Sequence, residues 1–395
     1  MSRFISKQVQ QMRPSGIRRY FEIASTMQDV VTLGIGEPNF TTPAHIVQAG
    51  VDSALNGLTG YTANAGLLEL RQAIASKIKD HYAVSYDAET DILITVGASE
   101  AIFLALKAIL DPGDEVLVIE PCFVANAATV EIAGGVPVSV HTSVETHFQV
   151  TTAQLQAKLS PRTKAILMSY PNNPTGAVLD DQHLQQIANF AEAHDLLVIS
   201  DEIYEHLIYG HQHRNFASLP GMQARSIIIS GMSKSYAMTG WRIGYVTAPE
   251  ELTAAMKKIH QYLIMSAPTM GQMAALQALC CGEEDVETMR QSYDQRRRFI
   301  FQAFNEMGMR CFEPKGAFYA FPSITHTGLS DEEFCEQLLN ESRVALIPGS
   351  AFGKSGAGFI RASYALSLDQ IELAMERLYT FMQRNHYLNP IETVV

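Results

Sequence analysis

The feature that most constrains the fold is an alternation of short apolar runs with helix-like segments from about Ile92 to Ala248. The apolar runs read ILITV, EVLVI, VPVSV, AILMSY, LLVIS, SIIIS and WRIGYV, and helix-like segments such as DDQHLQQIANFAEAHD separate them. Short, nearly continuous apolar strands joined through helices are typical of a mostly parallel sheet that is covered on both faces. We therefore predict an α/β fold with three layers, in which helices pack on both sides of one sheet.

The chain becomes more helical after Pro249. The segment EDVETMRQSYDQRRRFIFQAFNEMG is long and amphipathic, and it is followed by GAFYAFP, a helix-like DEEFCEQLLNES, the run GFIRASYAL and a last helix from about Leu368. This pattern predicts a smaller α+β domain. Residues 1–45 have no place in the alternating part, so we assign them to the small domain together with residues 286–395, and we assign residues 46–285 to the large domain.

Composition excludes several classes of function. The chain has 395 residues, with 29 Lys and Arg against 41 Asp and Glu, and a formal net charge of −12. Nucleic acids and anionic lipids select basic surfaces, so we expect neither a nucleic-acid nor a membrane partner. No apolar run reaches the ~18 residues of a membrane span. The five cysteines match no zinc-site spacing, and their odd number is typical of reduced thiols in a cytoplasmic protein.

The N-terminal segment is basic before its first acid, Glu22. An organelle transit peptide has this composition, and so does the N-terminal arm of a cytoplasmic protein; we favour the arm. Ile17, Tyr20, Ala24 and Met27 recur at a helical period and predict one amphipathic helix face. The basic residues of the segment are Arg3, Lys7, Arg13, Arg18 and Arg19.

Chemically distinctive residues follow the predicted strands at the points where these end. Ligands of parallel sheets bind just beyond the carboxyl ends of the strands, so these residues are candidates for one site. Gly97, Ala98 and Ser99 form a turn into a helix whose free N–H groups suit a phosphate, although an ordinary turn would have the same sequence. The other candidates are Phe123 after EVLVIEP, Asn173 in PNNPTG, Asp201 and Tyr204 after LLVIS, and Ser233, Lys234 and Arg242 after SIIIS.

A lysine in an apolar setting is the most informative of these residues. Burial lowers the pKa of such an amine, which makes it nucleophilic near neutral pH. Taken singly, Lys234 could be an ordinary surface lysine and Asp201 a helix N-cap. Together, an amine, an acid, an anion-binding turn and an arginine match the needs of pyridoxal phosphate, which requires a covalent attachment point, an acid at its pyridine nitrogen and a phosphate site.

Over nearly its full length the chain resembles the class I/II aminotransferases, which are fold-type-I enzymes dependent on pyridoxal 5′-phosphate. The resemblance rests on GEPNFTTP, GYTANAGLLELR, NNPTG, SDEIYEH, SKSYAMTGWRIGY and FIRASYA, in this order. Within the family the chain is most similar to the branch that contains aromatic and N-acetyl-LL-diaminopimelate aminotransferases. The resemblance implies a homodimer with shared active sites, an L-amino acid donor and a 2-oxo acid acceptor, expected to be 2-oxoglutarate.

The resemblance implies a role for each site residue. Lys234 is the expected Schiff-base lysine and proton carrier, and Asp201 is the expected partner of the pyridine nitrogen. Arg361 is expected to clamp the substrate α-carboxylate through two hydrogen bonds, aided by the backbone of Gly36. The remaining expected contacts are Tyr204 and Asn173 at the ring oxygen, Asn173 also at the substrate, Phe123 stacked on the ring, Ala98, Ser99, Ser233 and Arg242 at the phosphate, and Tyr61 at the phosphate of the neighbouring subunit.

One position departs from the family pattern. Many relatives have a serine three residues before the lysine, where this chain has Gly231. We therefore expect one hydroxyl contact to the phosphate to be missing, although Ser230 is adjacent.

Alternatives remain for the preferred amino donor and for the role of the N-terminal helix. Phe123 beside the ring, an N-terminal helix that would present Ile17 and Tyr20, and the lack of an arginine assignable to a distal carboxylate all favour an aromatic donor. Aspartate and N-acetyl-LL-diaminopimelate are the alternative donors. The N-terminal helix would either close over the substrate, as in relatives, or simply pack on the small domain.

Two other functions are compatible with the same residues, because a fold does not determine a reaction. A carbon–sulfur β-lyase would share Lys234, Asp201, Asn173 and Arg361, and would release pyruvate and ammonia from cystathionine without an amino acceptor. A cofactor-binding regulator would need an added DNA-binding module, and this acidic chain has no spare residues for one.

Overall fold

The strands form one large sheet and two small ones in the computed structural model, which describes residues 2–12, 16 and 27–388. The strands are β1 (Val31–Thr32), β2 (Ile92–Thr95), β3 (Glu115–Glu120), β4 (Val136–His141), β5 (Thr163–Ser169), β6 (Leu197–Asp201), β7 (Ser226–Gly231), β8 (Gly244–Thr247), β9 (Tyr319–Ala320), β10 (Val344–Ala345), β11 (Ile347–Pro348) and β12 (Ile360–Ser363). The large sheet has the order β2-β8-β7-β6-β5-β3-β4. In it β8 is antiparallel to both neighbours and the other pairs are parallel, which confirms the predicted mostly parallel sheet.

Helices cover both faces of the large sheet. The helices of the described residues, of which α11 and α12 pack on the small sheets, are α1 (Lys7–Gln11), α2 (Ala44–Leu55), α3 (Leu68–Tyr82), α4 (Gly97–Ile109), α5 (Ala125–Ala133), α6 (Thr152–Gln156), α7 (Asp181–Ala193), α8 (Glu250–Leu263), α9 (Thr269–Cys281), α10 (Glu283–Glu306), α11 (Asp331–Ser342) and α12 (Leu368–Arg384). Side chains of a strand alternate between its faces. Thus Ile199 and Ile227 pack with α4, α5 and α8, whereas Val198 and Ile228 pack in the other core with α3, α7 and α9. The predicted three-layer α/β/α arrangement is confirmed.

The two-stranded small sheet joins an N-terminal strand to a C-terminal one, and the three-stranded small sheet contains only C-terminal strands. Strand β1 pairs in parallel with β10, with Val31 opposite Val344. Strands β11, β12 and β9 form an antiparallel sheet, in which Ile347 lies opposite Arg361. The long amphipathic segment after Pro249 contains α10, a single helix of 24 residues. These connections place β9 and β12 beside the carboxyl ends of the large sheet.

The state of the cysteines and the character of the helices can be compared with the expectations of reduced thiols and of no membrane span. All five cysteines are free. Within the described part of the chain, no helix has both the length and the apolar character needed to cross a membrane.

Candidate active site

A cavity of about 360 Å³ lies at the carboxyl ends of β2, β5, β6 and β7. Of the residues to which the resemblance assigns a contact, Tyr61 alone does not line it, and 81% of this side chain is exposed in the single chain. The expected residues that do line the cavity are Gly36, Ala98, Ser99, Phe123, Asn173, Asp201, Tyr204, Ser233, Lys234, Arg242 and Arg361. The rule that parallel strands gather ligand-binding residues at their carboxyl ends therefore located the cavity correctly.

Lys234, three residues after β7, contributes an amine to the cavity. Its Nζ donates a hydrogen bond to the carbonyl oxygen of Gly36 over 2.7 Å. Burial lowers the pKa of Lys234 to about 8; Glu37 opposes this shift, and Arg361 and Arg242 add to it. The amine is therefore neutral in a useful fraction of molecules near neutral pH, as a nucleophile or a general base must be.

Asp201 ends β6 and is 6% exposed. Its carboxylate accepts hydrogen bonds from the Ile203 N–H (3.2 Å) and the Ser169 hydroxyl (3.3 Å). Burial raises the pKa of Asp201 to about 6, although these two hydrogen bonds oppose the shift. Among the described residues no lysine or arginine forms an ion pair with it, and Lys234 acts on it only through space, as the last of the causes that shift its pKa. A ligand that brings a positive charge to this carboxylate would relieve the cost of burying it.

The N-terminus of α4 and Arg242 form an anion-binding surface. Helix α4 begins at Gly97, and no side chain caps its first turn, which leaves N–H groups at Ala98 and Ser99 beside the cavity. Arg242 donates to the Thr239 carbonyl over 3.0 Å, and its guanidinium packs directly on Gly97. Gly97 has a φ of +73°, and a Cβ there would overlap Arg242 Nη2. Glycine is therefore required at this position for the helix end and the arginine to meet.

Arg361 on β12 provides a second cationic group, which is 2% exposed. Its Nη1 donates to Asn173 Oδ1 over 2.9 Å, and its Nη2 donates to the Gly34 carbonyl. Its buried Nε finds no partner in the described part of the chain. An unpaired donor on a positioned guanidinium suits an incoming carboxylate. Gly36, whose backbone was expected to bind the substrate α-carboxylate together with Arg361, accepts a hydrogen bond from Lys234 through its carbonyl oxygen.

The structure explains the glycine that departs from the family pattern. A Cβ at Gly231 would lie 2.8 Å from Gly244 Cα and 2.9 Å from the Ile243 carbonyl oxygen, closer than packed atoms allow. The neighbouring Ser230 donates its hydroxyl proton to Glu205 Oε1 over 2.6 Å. Close approach of β8 thus excludes a side chain at position 231. The hydroxyl of Ser230 is used in the hydrogen bond to Glu205, which does not line the cavity.

Sequence analysis missed several residues that line the cavity. The most informative is Tyr319, whose hydroxyl lies 2.9 Å from that of Tyr204. Glu37 is the second, because it accepts a hydrogen bond from Thr239 and acts on the pKa of Lys234. Both lie in segments quoted above, GAFYAFP and GEPNFTTP, but only the fold brings them to the strand ends. The other unassigned lining residues are Ile102, Ser169, Ile203 and Thr239.

The residues present fit pyridoxal 5′-phosphate. The cofactor carries a phosphate, which suits the uncapped helix end and Arg242, and a basic pyridine nitrogen, which suits a buried carboxylate without a cation at Asp201. Its aldehyde suits the amine of Lys234. The free Nε of Arg361 remains for a substrate carboxylate.

The N-terminal helix face lies mostly outside the described residues. Ile17, Tyr20 and Ala24 belong to the undescribed part, as do Arg18 and Arg19. Met27 is described, and its Sδ lies 3.8 Å from Arg343 Nη1. The expectation of a lid therefore stays a prediction.

Comparisons with known proteins identify the family. The model of the family "Aminotransferase class I and II" matches residues 28–378. YugH, a putative aminotransferase of Bacillus subtilis (strain 168), is 48% identical over 384 residues, which cover 97% of this chain and 100% of the relative. An aspartate aminotransferase of Pyrococcus abyssi (strain GE5 / Orsay) is 45% identical over 377 residues, which cover 95% of this chain and 97% of the relative.

A solved structure agrees with these sequence matches. The crystal structure of an aromatic aminotransferase from Pyrococcus horikoshii OT3 has a TM-score of 0.90 and 44% identity, and the match covers 94% of this chain and 100% of that one. Relatives named for different amino-acid donors therefore match over nearly the whole chain. The chain belongs to the class I and II aminotransferases, and it is a pyridoxal-phosphate-dependent enzyme that transfers amino groups.

Proposed function

We propose that this enzyme moves the amino group of an aromatic L-amino acid to 2-oxoglutarate. The observation that carries the proposal is the distribution of charge around the cavity. Among the described lining residues the cations are Lys234, Arg242 and Arg361. Each has a proposed role at the cofactor or at the α-carboxylate, so none remains for the distal carboxylate of an aspartate donor. Ile102 and Phe123 instead supply an apolar wall.

An apolar wall favours a ring by a measurable amount. Burial of an aromatic side chain contributes ~1.5–3 kcal/mol, which corresponds to a roughly 10–100-fold preference over alanine. N-acetyl-LL-diaminopimelate is long and polar and would need amide partners that this wall does not supply. The second carboxylate of 2-oxoglutarate still needs a polar partner, and the unassigned Arg18 and Arg19 lie outside the described residues.

We assign the cofactor contacts as the resemblance implies. The N–H groups of Ala98 and Ser99, the hydroxyls of Ser99 and Ser233, and Arg242 would hold the phosphate. Asp201 would hold the pyridine nitrogen, and Lys234 would hold the cofactor covalently. Support comes from the geometry of the uncapped helix end, from the burial of Asp201 and from the position of the partly buried Lys234 on the cavity wall.

The remaining contacts involve the ring and the substrate. Tyr204 and Asn173 would bind the ring oxygen of the cofactor, and Phe123 would stack on the cofactor ring. Asn173 already accepts a hydrogen bond from Arg361, which would clamp the substrate α-carboxylate together with the backbone of Gly36. Asn173 would thus link the substrate site to the cofactor site.

The mechanism assigns proton transfer to one amine. When bound, the cofactor withdraws electrons from the bonds at the substrate Cα. Arg361 orients the substrate through its α-carboxylate, and Asp201 keeps a proton at the pyridine nitrogen. Lys234 then takes the proton from Cα, because burial lowers the pKa of its amine to about 8. Lys234 would pass this proton on to the cofactor as a general acid and, in the second half-reaction, would carry a proton in the opposite direction to Cα of the new amino acid, so the kinetics should be ping-pong.

We also propose an assembly and a location. The enzyme would be a homodimer in which the exposed Tyr61 reaches the phosphate of the neighbouring subunit. Each subunit would have a large domain (46–285) and a small domain (1–45 and 286–395), with the boundary in the first turn of α10 and with β1 paired to β10 inside the small domain. Five free cysteines support a cytoplasmic location.

A comparison of donors tests the substrate. The values of kcat/KM would be measured for phenylalanine, tyrosine, aspartate and N-acetyl-LL-diaminopimelate, each with 2-oxoglutarate as acceptor. We expect one of the two aromatic donors to have the highest value. If aspartate or the acetylated diamino acid exceeds both by about tenfold, the apolar-wall argument fails while aminotransfer stands.

A second measurement tests the reaction type. A carbon–sulfur β-lyase would release pyruvate and ammonia from cystathionine without any 2-oxo acid, and we expect no such release. Lys234→Ala is the matched control: it should bind the cofactor without the visible absorbance of the wild-type holoenzyme and should lose turnover. A variant with unchanged absorbance and activity would place the covalent attachment elsewhere.

A further inference from the structure

Tyr319 connects the two ends of the cavity. It lies on β9, it is 1% exposed, and it lines the cavity. The Cζ atom of Arg361 lies 4.5 Å from the centroid of its ring. Its hydroxyl lies 2.9 Å from the hydroxyl of Tyr204. One side chain therefore contacts both the proposed carboxylate clamp and the proposed ring-oxygen ligand.

The two tyrosine hydroxyls have two protons but share one hydrogen bond. Among the described residues neither Tyr204 nor Tyr319 has another hydrogen-bond partner for its hydroxyl. A buried donor without an acceptor is costly, so the second proton needs an acceptor inside the cavity. If Tyr319 donates to Tyr204, the second proton belongs to Tyr204, whose ring centroid lies 5.9 Å from Lys234 Nζ. That proton would then point to the cofactor side.

The surroundings of Tyr319 favour this direction of donation. Burial raises the pKa of both phenols, and the Arg361 guanidinium opposes the rise at both. This guanidinium, however, lies against the ring of Tyr319, whereas the carboxylate of Asp201 raises the pKa of Tyr204 further. The more acidic phenol is the better donor. The Tyr319 hydroxyl also packs against the backbone of Gly36, where a Cβ would overlap it, so the hydroxyl cannot be displaced to that side.

We propose that Tyr319 is a positioning residue for aminotransfer: its ring supports Arg361 beneath the substrate carboxylate, and its hydroxyl donates to Tyr204 so that the Tyr204 proton is directed to the cofactor ring oxygen. The inference rests on the proposed roles of Tyr204, Arg361 and Lys234. It adds a physical link between substrate binding at Arg361 and the electronic state of the cofactor at Tyr204.

Tyr319→Phe separates the two parts of this role, because it keeps the ring and removes the hydroxyl. The readout is the pH titration of the visible absorbance of the holoenzyme, which reports the proton on the nitrogen that joins Lys234 to the cofactor. A poorly directed donor at the ring oxygen leaves more negative charge there, which holds this proton more tightly. We expect the midpoint to rise by about half to one pH unit, while the KM of the amino acid stays within about twofold.

Tyr319→Leu tests the ring. It keeps apolar volume but removes one of the two aromatic faces packed on Arg361 and leaves that of Phe352, so the KM of the amino acid should rise roughly fivefold in addition to the change of midpoint. Tyr209→Phe is the control for loss of a buried hydroxyl, since Tyr209 donates to the Ala317 carbonyl over 2.7 Å and does not line the cavity. Tyr209→Phe should change neither the midpoint of the titration nor the KM of the amino acid.

The titration must be compared with that of Tyr204→Phe and of the double variant. We expect Tyr204→Phe to raise the midpoint at least as much as Tyr319→Phe, and the double variant to equal Tyr204→Phe alone, because Tyr319 acts through Tyr204. If Tyr204→Phe raises the midpoint and Tyr319→Phe does not, or if the two rises add, the role of Tyr319 is wrong and the proposed function stands. If Tyr204→Phe leaves the midpoint unchanged, the assignment of Tyr204 fails and the role of Tyr319 fails with it.

Discussion

Asp201→Asn should stabilise the enzyme without its cofactor and yet remove most of its activity. Asparagine has nearly the same shape, its Oδ1 can accept from the Ile203 N–H, and its amide can face the Ser169 hydroxyl. The substitution therefore preserves the packing and removes only the buried charge. Few substitutions of a buried polar group have this property, because most leave a partner unsatisfied.

The size of the expected stabilisation follows from the pKa of the Asp201 carboxyl. Burial raises the pKa of Asp201 from 3.8 to about 6, so the folded chain binds this proton more tightly than the unfolded chain. The contribution of the group to stability is complete below pH 3.8 and is lost as the pH rises through about 6. At about 1.4 kcal/mol per pKa unit, the ionised carboxylate costs the cofactor-free fold about 3 kcal/mol at pH 7 and above.

Urea unfolding of the cofactor-free enzyme between pH 5 and 8 measures this cost. The stability difference between Asp201→Asn and wild type should grow with pH and level off above about pH 7. Asp80→Asn, at an exposed carboxyl, is the control and should follow wild type at every pH. Equal stability of Asp201→Asn and wild type at pH 8 would refute the argument from burial.

The same substitution has the opposite effect once the cofactor is bound. The proposed partner of the carboxylate, the pyridine nitrogen, then places a positive charge directly at Asp201, on which Lys234 acts only through space. A neutral amide cannot keep that nitrogen protonated, so kcat should fall severely and the stability advantage should disappear. A kcat within a few-fold of wild type would show that Asp201 does not contact this nitrogen.

Two further predictions concern the phosphate site and the dimer. Gly97→Ala should weaken the binding of pyridoxal phosphate about tenfold to a hundredfold, measured by quenching of the single tryptophan, Trp241, because its Cβ displaces Arg242. Gly210→Ala has a similar φ of +82° with no atom within 4 Å of the new Cβ, so it should lose stability alone; equal affinity in both variants would argue against a phosphate at Arg242. In a hybrid dimer of one Tyr61→Phe chain and one Lys234→Ala chain, donation of Tyr61 across the interface would place both substitutions in one active site and leave the other active site intact. A hybrid without an intact active site would rule out this donation.

The mostly parallel sheet and most residues of the cavity wall could be predicted from the sequence. Each strand is a short apolar run, and the residue that follows it must emerge at the carboxyl edge, because parallel strands align their ends. Asp201 and Lys234 could therefore be placed together from local pattern alone. Arg361 could not be placed in this way, since it comes from a different sheet, and only the family resemblance indicated it.

The contacts that those residues make with one another become visible only in the folded chain. Contacts across long separations in the chain, such as Tyr204 with Tyr319 and Lys234 with Gly36, leave no periodic signal in the sequence. The packing of β8 against Gly231 likewise depends on which strands become neighbours. The pKa of the Lys234 amine depends on burial and on through-space charges, which exist only after folding, so its chemistry is a property of the assembled cavity.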